Sequence, residues 1–570
     1  MQQYRAWLEM AAGHEELRLE LEGIRDDRKA IEDRFYTELA FGTGGMRGVL
    51  GAGINRMNVF TVRRAAAGLA ESLKAIPGNE EKGVAVAYDS RRNSALFAEQ
   101  TALVLAARGV KAYLFDSLRP VPVLSFAVRH LGTAAGVVIT ASHNPPQYNG
   151  FKAYGPDGAQ LAPEDADRVT QEIRRLDYAQ CAPMARDEAL ARGLLQVIGE
   201  EEVDRDYARM ALSLMVRPDA VRARGASLRI VYTPLHGAGN LPVRRVLKDA
   251  GFEHVLVVPE QELPDPDFST VKAPNPEDPA VFELGVKLAR EAGASVVLAT
   301  DPDCDRLGVC LRDGQGEFRT LTGNQIGCLL LHHILSERKR QGTLPGDGAA
   351  VKSIVSTRLA QAICDEFGVK LFDVLTGFKF VGELIQRFEE TGSHTFLFGF
   401  EESFGYLSGT RVRDKDAVNA SLLAAELACV CEEEGGTIFD RLQDIYRKYG
   451  YFVESVKSLD FPGKEGAANI AALMARLRDD PPRDIGGLKV LALRDYKSGL
   501  RTQGGASEPM GFPPSDVLYF ELEGGAWACV RPSGTEPKIK LYTGISHPDS
   551  EEKAKEAARR LQEAAGSLLH

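Results

Sequence analysis

Short apolar runs alternate with amphipathic segments along most of the chain. The runs at 83–88, 110–115 and 136–140 predict buried strands, and 96–108 predicts a helix between the first two. Further apolar runs predict strands at 228–233, 255–258, 295–300, 395–400, 489–493, 517–522 and 527–531. Helices are predicted at 278–291, at 549–561 and on the face formed by Val62, Ala66, Leu69 and Leu73. Repeated strand–helix alternation is typical of α/β domains.

The two ends of the chain differ from this pattern. The first 40 residues place Trp7, Leu17 and Leu21 among Glu and Arg, which predicts surface helices packed on a domain. The last stretch has several strands before one amphipathic helix, which is typical of a smaller α+β domain. We therefore predict an α/β protein with three related α/β domains and a C-terminal α+β domain. The predicted domains are 1–200, 201–318, 319–450 and 451–570.

Composition narrows the class of partner. The 570 residues suit about four domains. The net charge of −11 argues against a globally basic nucleic-acid binder but leaves anionic substrates open. No apolar run approaches the roughly 20 residues of a membrane helix, and the acidic start is unlike a signal peptide. Eight cysteines without a Cys-x-x-Cys pair disfavour zinc and disulfides. We expect a cytoplasmic protein without nucleic-acid or membrane partners, and the sequence leaves the oligomeric state open.

Polar motifs follow the predicted strands, at the edge where open α/β sheets bind ligands. The first is Thr-Ala-Ser-His-Asn-Pro-Pro at 140–146, in which two prolines stiffen the loop and hold Ser142 exposed in a fixed orientation. His143 is adjacent, and Lys152 follows ten residues later. A serine needs activation to act as a nucleophile, so a polar loop with a capping serine is the alternative interpretation.

The second motif is Asp-Pro-Asp-Cys-Asp-Arg at 301–306. Carboxylates at Asp301, Asp303 and Asp305 can converge on one hard cation such as Mg²⁺, which proteins hold through a few carboxylates and phosphate oxygens. The EF-hand pattern is excluded, because it needs Gly and Glu where this chain has Arg306 and Arg312. A solvated acidic turn is the alternative.

Two further motifs suit a phosphorylated sugar. Glu401 and Ser403 lie two residues apart in Gly-Phe-Glu-Glu-Ser-Phe-Gly, a natural clamp for vicinal hydroxyls, although a capped helix start explains them equally well. Arg531 and Ser533 open the segment Arg-Pro-Ser-Gly-Thr at 531–535, where bidentate Arg donors and hydroxyls suit a phosphate dianion. A β-turn built on Pro and Gly is the alternative there.

Taken together and in this order, the four motifs resemble those of the α-D-phosphohexomutase family over almost the whole chain. The helical N-terminal extension and the glycine-rich segments at 41–48 and 51–58 resemble the longer phosphoglucomutase/phosphopentomutase branch. The resemblance implies four domains around a central cleft. It also implies Mg²⁺ as cofactor, a sugar phosphate as substrate and glucose 1,6-bisphosphate as activator. Pro302, between the first two acids, is shared with the longer branch.

The resemblance also implies roles for individual residues. Ser142 would carry the phosphoryl group, and that group would bind the metal together with Asp301, Asp303 and Asp305. Arg47, His143 and Lys152 would surround the transferred group. Lys152 is favoured as the general base and His143 is the competitor, since nearby cations and desolvation lower a lysine pKa. The substrate would be bound by Glu401, Ser403, Arg306, Lys379, Lys415, Arg531, Ser533, Gly534 and Thr535.

The expected activity is interconversion of glucose 1-phosphate and glucose 6-phosphate through a phosphoserine enzyme and a bisphosphate intermediate. Ribose phosphates, mannose phosphates and synthesis of glucose 1,6-bisphosphate are alternatives, because the hydroxyls near Glu401 and Ser403 are shared by several sugars. From other classes, a phosphatase with an aspartyl phosphate on Asp301 would leave Ser142 and the 531–535 cradle without roles. A non-catalytic sugar-phosphate sensor would not need Ser142 and all three aspartates.

Overall fold

The protein is described by a computed structural model that covers residues 1–461, 466–533 and 538–569. The chain forms two compact units. The first comprises 1–349 and 377–438, and the second comprises 350–376 and 439–570. Within the described ranges, none of the helices combines the length and the apolar character needed to span a bilayer.

Three helices begin the chain, as the first 40 residues predict. Trp7 is buried and contacts the rings of Phe35, Phe60 and Tyr178 edge-on, which fixes the N-terminal helices to the first α/β domain. The helices up to residue 191 are α1 Gln2–Met10, α2 Glu15–Gly23, α3 Arg28–Phe35, α4 Val59–Lys74, α5 Asn79–Lys82, α6 Ser94–Ala107, α7 Val121–Leu131, α8 Pro163–Arg175 and α9 Arg186–Ala191.

The first sheet has six strands in the order β1-β5-β4-β2-β3-β6. They are β1 Met46–Val49, β2 Val84–Tyr88, β3 Ala112–Phe115, β4 Ala135–Ile139, β5 Tyr148–Tyr154 and β6 Leu195–Ile198. The strands β2, β3, β4 and β6 are parallel, and β1 and β5 run antiparallel to their neighbours. The strands predicted at 83–88, 110–115 and 136–140 are confirmed. The strand β5, which carries Lys152, was not predicted.

The second sheet has the order β11-β10-β9-β7-β8, with β7, β8 and β9 parallel. Its strands are β7 Arg229–Thr233, β8 His254–Val257, β9 Val296–Thr300, β10 Leu307–Arg312 and β11 Phe318–Thr320. The helices here are α10 Arg205–Ser213, α11 Pro218–Arg224, α12 Asn240–Ala250, α13 Pro259–Glu262 and α14 Glu283–Ala292. The helix predicted at 278–291 is divided. Asp278 caps a 3₁₀ turn at Pro279–Phe282, and the α-helix starts only at Glu283.

The next stretch of chain supplies elements to both units. Its helices are α15 Gly323–Arg340, α16 Leu359–Phe367, α17 Lys379–Thr391, α18 Ala417–Glu433 and α19 Ile438–Tyr449. Its strands are β12 Gly348–Ser353, β13 Lys370–Val374, β14 Thr395–Glu401 and β15 Gly405–Ser408. Within the first unit, β14 pairs antiparallel with β15. The strand predicted at 395–400 is confirmed.

The second unit contains an antiparallel sheet in the order β16-β23-β22-β21-β18-β19-β20, with β17 paired to β18. Its strands are β16 Tyr451–Asp460, β17 Asp484–Ile485, β18 Leu488–Asp495, β19 Leu500–Gln503, β20 Ala506–Pro509, β21 Leu518–Leu522, β22 Trp527–Pro532 and β23 Lys538–His547. The helices α20 Gly466–Asp479 and α21 Glu551–Ser567 pack on a core that includes Phe520, Leu541 and Leu561. The predicted α+β architecture is confirmed, and α21 extends beyond its predicted end.

Candidate active site

Ser142 lies in the loop between β4 and β5, at the carboxyl edge of the first sheet. Its backbone is left-handed, with a φ of 51°, and its N–H donates to Thr140 Oγ1 at 2.8 Å. Its hydroxyl donates to Asp301 Oδ2 at 2.9 Å and lies 3.1 Å from His143 Nδ1. The fixed orientation agrees with the prediction, but the predicted exposure is wrong. Ser142 is only 4% exposed, because the loop that carries Asp301 covers it.

The aspartate motif follows β9 and turns sharply at Cys304, whose φ is 51°. The carboxylates of Asp301, Asp303 and Asp305 are all buried and offer oxygens that lie within 4.8 Å of one another. One oxygen of Asp301 accepts the backbone N–H groups of Asp305, at 3.1 Å, and Arg306, at 3.0 Å. The solvated acidic turn is therefore wrong, because a hydrogen-bonded loop gathers the three acids in the interior.

This donor set fits a hard divalent cation. The Oδ1 atoms of Asp303 and Asp305 are buried and have no hydrogen-bond partner among the described residues. Unpaired carboxylate oxygens in the interior are costly, and Mg²⁺ is a ligand that satisfies such oxygens. The carbonyl of Pro302 accepts the N–H of Ala238 at 2.8 Å, so Pro302 takes part in the hydrogen bonding that holds this loop.

Two lysines neutralise part of this acidic cluster. Lys152 on β5 places its Nζ 2.7 Å from Asp303 and 3.7 Å from Asp305. Lys415 places its Nζ 3.0 Å from Asp305 and 2.8 Å from Asp414. Burial alone would raise the pKa of Asp305, but the two lysines outweigh it and hold that pKa well below its usual range. Burial would lower the pKa of Lys415, but the carboxylates of Asp305 and Asp414 outweigh burial and raise that pKa.

Two arginines add positive charge near the Ser142 loop, whereas His143 is neutral. Arg47 on β1 donates to Asn144 Oδ1 at 2.9 Å, next to the serine. Arg306 pairs with Glu277 and lies 3.9 Å from Asp305. Burial, and then these two arginines, hold the pKa of His143 well below its usual value, so its ring is neutral at neutral pH. A neutral imidazole at this distance can accept the Ser142 proton.

Glu401 ends β14 and does not begin a helix, so the alternative of a capped helix start is wrong. Residues 402–404 form a turn into β15, with Phe404 left-handed at a φ of 66°. Glu401 accepts the N–H of Gly377 at 2.7 Å, and burial together with the neighbouring Glu402 raises its pKa to about 7. Ser403 is half-buried in the turn.

Backbone contacts join the loop that carries the three aspartates, residues 301–306, to the Glu401 turn. The N–H of Leu307 donates to the carbonyl of Phe404 at 3.1 Å, and Arg306 pairs with Gly405 in an isolated bridge. Lys379, at the start of α17, donates to Thr43 Oγ1 at 3.1 Å, and burial lowers its pKa. The first unit therefore brings together the predicted residues of the first three motifs.

The fourth motif belongs to the second unit. Arg531 lies in β22 opposite Lys540 of β23, and the N–H of Ser533 donates to the carbonyl of Lys538 at 2.8 Å. The described part of the motif, residues 531–533, thus lies at the end of β22. Gly534 and Thr535 lie outside the described residues.

The sequence reasoning missed Asp89 and Arg91, which follow β2 and contact the Ser142 loop. Arg91 is buried and donates to the carbonyls of Ser142 and Tyr148, at 2.6 and 3.1 Å. The available signal was their position, since Tyr-Asp-Ser-Arg at 88–91 follows an apolar strand just as the recognised motifs do. Asp414 was also missed, and it holds Lys415 in place.

Comparisons with known proteins agree with this geometry. Family models described as phosphoglucomutase/phosphomannomutase match in order and together cover most of the chain. Alpha/beta/alpha domains I, II and III match residues 38–180, 205–314 and 322–449, and the C-terminal domain matches 467–563.

Whole-chain relatives give the same result. A phosphoglucomutase of Staphylococcus haemolyticus (strain JCSC1435) is 38% identical over 520 residues, which cover 90% of this chain and 92% of that protein. A phosphoglucomutase of Staphylococcus aureus (strain MRSA252) is 36% identical over 535 residues, which cover 93% and 94%.

Solved structures share the fold. The crystal structure of a putative phosphomannomutase from Thermus thermophilus is similar with a TM-score of 0.65 and 26% identity, over 94% of this chain and 99% of that one. The open form of Paramecium parafusin, a phosphoglucomutase, has a TM-score of 0.67 at 15% identity, over 93% and 96%. The chain belongs to the phosphoglucomutase/phosphomannomutase family, the α-D-phosphohexomutases that its motifs resemble.

Proposed function

We propose that this protein is a phosphoglucomutase that interconverts glucose 1-phosphate and glucose 6-phosphate, with Ser142 as the phosphoryl carrier. The observation that carries the proposal is the 2.9 Å contact between the Ser142 hydroxyl and Asp301, within a buried triad of carboxylates. The relatives named phosphoglucomutase, at 36–38% identity over most of the chain, support the choice of reaction.

The proposed reaction has two matched transfers. The bond between phosphorus and Ser142 Oγ breaks as phosphorus bonds to the free sugar hydroxyl, whose proton passes to a base. The resulting glucose 1,6-bisphosphate turns over, and Ser142 Oγ then bonds to the phosphorus of its other phosphoryl group as the bond between that phosphorus and the sugar oxygen breaks. The proton taken up by the base in the first transfer is replaced by that of Ser142, and the leaving sugar oxygen is protonated to give the product hydroxyl. Lys152, Arg47 and Arg306 contribute positive charge around the transferred group. The prediction that Lys152 also acts as the base stays a prediction, because its Nζ is paired with Asp303.

A divalent cation fits beside the serine. We propose that Asp301, Asp303, Asp305 and an oxygen of the phosphoryl group on Ser142 hold Mg²⁺. When bound, Mg²⁺ stabilises the negative charge that spreads over the transferring oxygens. His143 lies 3.1 Å from Ser142 Oγ and, being neutral, can hold the proton of the free serine.

Sugar and distal phosphate are proposed to be bound by the remaining motif residues. Glu401 and Ser403 would accept and donate hydrogen bonds to ring hydroxyls, with Lys379, Lys415 and Arg306 around them. The non-reacting phosphate would bind at Arg531, Ser533, Gly534 and Thr535. We also propose four domains, at 1–200, 201–318, 319–450 and 451–570, a cytoplasmic location and activation by glucose 1,6-bisphosphate. The four successive family matches support that division.

The remaining alternatives differ in how well the site supports them. Ribose or mannose phosphates and bisphosphate synthesis use the same parts, so only relative rates separate them from glucose phosphates. An aspartyl phosphatase is disfavoured, because one oxygen of Asp301 accepts two backbone N–H groups and the other accepts the Ser142 hydroxyl. A silent sensor is disfavoured by the buried oxygens of Asp303 and Asp305 that accept no hydrogen bond among the described residues, because these oxygens suit a metal.

The test begins with the mass of the purified protein. A phosphorylated Ser142, about 80 Da heavier by peptide mapping, and glucose 6-phosphate formed from glucose 1-phosphate with Mg²⁺ and a trace of bisphosphate are the expected results. Ser142→Ala should lose activity by orders of magnitude and still bind the sugar phosphate. Ser90→Ala removes a hydroxyl from the neighbouring strand-end loop and should stay active. Absence of both phosphoserine and product in the wild-type protein, with glucose, ribose and mannose phosphates alike, would reject the proposal.

A further inference from the structure

A buried arginine outside the motifs holds the loop that carries Ser142. We call residues 140–148 the reactive loop. The Arg91 side chain is fully buried, and its guanidinium donates to four backbone carbonyls of this loop. The acceptors are the carbonyls of Ser142 at 2.6 Å, Pro145 at 3.0 Å, Tyr148 at 3.1 Å and, closer still, Asn144. One side chain therefore fixes the loop along its length.

Arg91 is itself held from two sides. The Asp89 carboxylate forms an ion pair with it at 3.3 Å, and the other oxygen of Asp89 accepts the Ser94 hydroxyl at 2.7 Å. The ring of Phe268 lies over the guanidinium, 4.9 Å from the central carbon, in the range of a cation–π contact. Phe268 comes from the second α/β segment of the chain, so two parts of the first unit determine where the guanidinium sits.

Ser142 needs such support because of its backbone. A serine at a φ of 51° is in the left-handed region that residues other than glycine rarely adopt, and a strained residue persists only when its surroundings hold it. Thr140 Oγ1 accepts the N–H of Ser142, and the Arg91 guanidinium donates to the carbonyl of Ser142. Both backbone groups of the serine are thereby fixed, which leaves its hydroxyl directed at Asp301.

We infer that Arg91 is a positioning residue for phosphoryl transfer, which keeps the reactive loop in the one conformation that presents Ser142 Oγ to the substrate. The inference rests on the proposed function of Ser142. Lysine can replace this arginine only in part, since a single ammonium cannot fork to four carbonyls spread over seven residues. Arg91 lies beneath the loop and contacts its backbone, so the effect concerns the transfer step and leaves substrate affinity alone.

The neighbouring Arg92 provides a matched control. Its side chain is more than half exposed and pairs with Asp267 at 2.6 Å, so its removal costs little. We would compare Arg91→Lys, Arg91→Met and Arg92→Met for kcat, for KM and for the single-turnover rate at which glucose 1,6-bisphosphate phosphorylates Ser142. Asp89→Asn/Arg91→Met removes both buried charges and serves if the single variant does not fold, because an unpaired buried Asp89 would itself be destabilising.

The expected result is a split between rate and affinity. Arg91→Met, or the double variant, should lower kcat and the phosphorylation rate by about 100-fold, and Arg91→Lys by about 10-fold, because misplacing a reacting atom by about 1 Å costs that much. KM should stay within about 2-fold, and Arg92→Met should match the wild-type protein. An unchanged kcat, or a raised KM with an unchanged phosphorylation rate, would overturn the inference.

A readout independent of activity separates this inference from the proposed function. Amide hydrogen exchange in the reactive loop should be faster in Arg91→Met than in Arg92→Met, whether or not the wild-type protein is a mutase. If the wild-type protein forms phosphoserine and product but the Arg91 variants do so equally well, the inference alone fails. If the wild-type protein forms neither and exchange is unchanged, both fail.

Discussion

Glu401 provides a test in which pH moves stability and activity in opposite directions. Its carboxyl is buried at the end of β14, beside Glu402. Burial and the neighbouring negative charge raise its pKa from 4.5 to about 7, against the opposing pull of Lys415 and the Gly377 N–H. The perturbations are pH itself, Glu401→Gln, which removes the titration, and Glu402→Gln, which removes one of its causes.

The effect on stability follows from linkage. The folded protein binds this proton more tightly than the unfolded chain, so the contribution of Glu401 to stability is fully present below pH 4.5. It is lost as pH rises to about 7, and the difference between the two pKa values corresponds to roughly 3 kcal/mol. In urea titrations, the free energy of unfolding of the wild-type protein should therefore fall by about that much, relative to that of Glu401→Gln, between pH 4.5 and pH 8.

The effect on activity has the opposite sign. The ionised carboxylate is the stronger acceptor for sugar hydroxyls. With a pKa of about 7, roughly 10% of the protein carries that charge at pH 6 and roughly 90% at pH 8. The kcat/KM of the wild-type protein, divided by that of Glu401→Gln at the same pH, should rise close to 10-fold across this interval. The division cancels the titration of the substrate phosphate, which both proteins share.

Glu402→Gln is the decisive control. Removing the neighbouring charge should lower the pKa of Glu401, so the midpoint of the kcat/KM ratio should move to lower pH. A ratio that is flat from pH 6 to pH 8, or a midpoint unaffected by Glu402→Gln, would show that Glu401 is not the titrating sugar ligand. If the free energy of unfolding of the wild-type protein instead rises relative to that of Glu401→Gln as pH increases, the electrostatic argument itself is refuted.

Two further predictions concern the metal and the glycine-rich segment. Chelation should abolish activity and Mg²⁺ should restore it, with Asp303→Asn needing about 100-fold more Mg²⁺ for half of its maximal rate; activity that survives exhaustive chelation would contradict this. Gly45→Ala should destabilise the fold by more than about 2 kcal/mol, because Gly45 has a φ of 80° and a Cβ would lie 1.9 Å from the carbonyl oxygen of Phe151. Gly44→Ala, which meets nothing within 4 Å, should be nearly neutral in the same urea titration, and equal effects would refute the steric reason.

Ten of the 23 strands in the described residues were predicted, because their residues are mostly apolar and buried, as in β4 and β9. The strand β5 escaped prediction because Tyr148, Asn149 and Gly150 begin it with polar and small residues. It pairs with β4, which is close in sequence, and with β1, which is distant and pairs Met46 with Phe151. Local pattern contains no information about such partners. For the same reason the sequence suggested an exposed Ser142, although a loop some 160 residues away covers it.

The chemistry of each motif was easier to predict than the contacts by which other residues hold the motif loops in place. The three aspartates predict a cation site, because their side-chain type and spacing are sufficient for that prediction. The position of Arg91 after an apolar strand is a local signal, but it does not reveal the partners of Arg91, because these are carbonyls, which every residue has. Its role becomes visible only when the fold places Ser142, Asn144, Pro145 and Tyr148 around one guanidinium.

Three of the strand-end loops in the first unit, those that carry the first three motifs, share one backbone feature. Ser142, Cys304 and Phe404 each follow a strand and each adopt a left-handed φ, at a cost of roughly 1 kcal/mol or more per residue. In each case another segment holds the carbonyl of the strained residue. Arg91 donates to Ser142, the N–H of Ala417 to Cys304 at 3.3 Å, and the N–H of Leu307 to Phe404 at 3.1 Å.

These supports link the loops to one another. Leu307 directly follows the aspartate motif, so its hydrogen bond to Phe404 connects the loop that carries the three aspartates to the Glu401 turn. Ala417 follows Lys415, so the segment that pairs with Asp305 also holds Cys304. Because the backbone links the aspartate loop to the Glu401 turn and to the segment of Lys415, relaxing one of these three should loosen the other two. We therefore expect loss of the Leu307 or Ala417 contact to disturb the proposed cation site and the proposed sugar site together, whereas Arg91 holds the Ser142 loop separately.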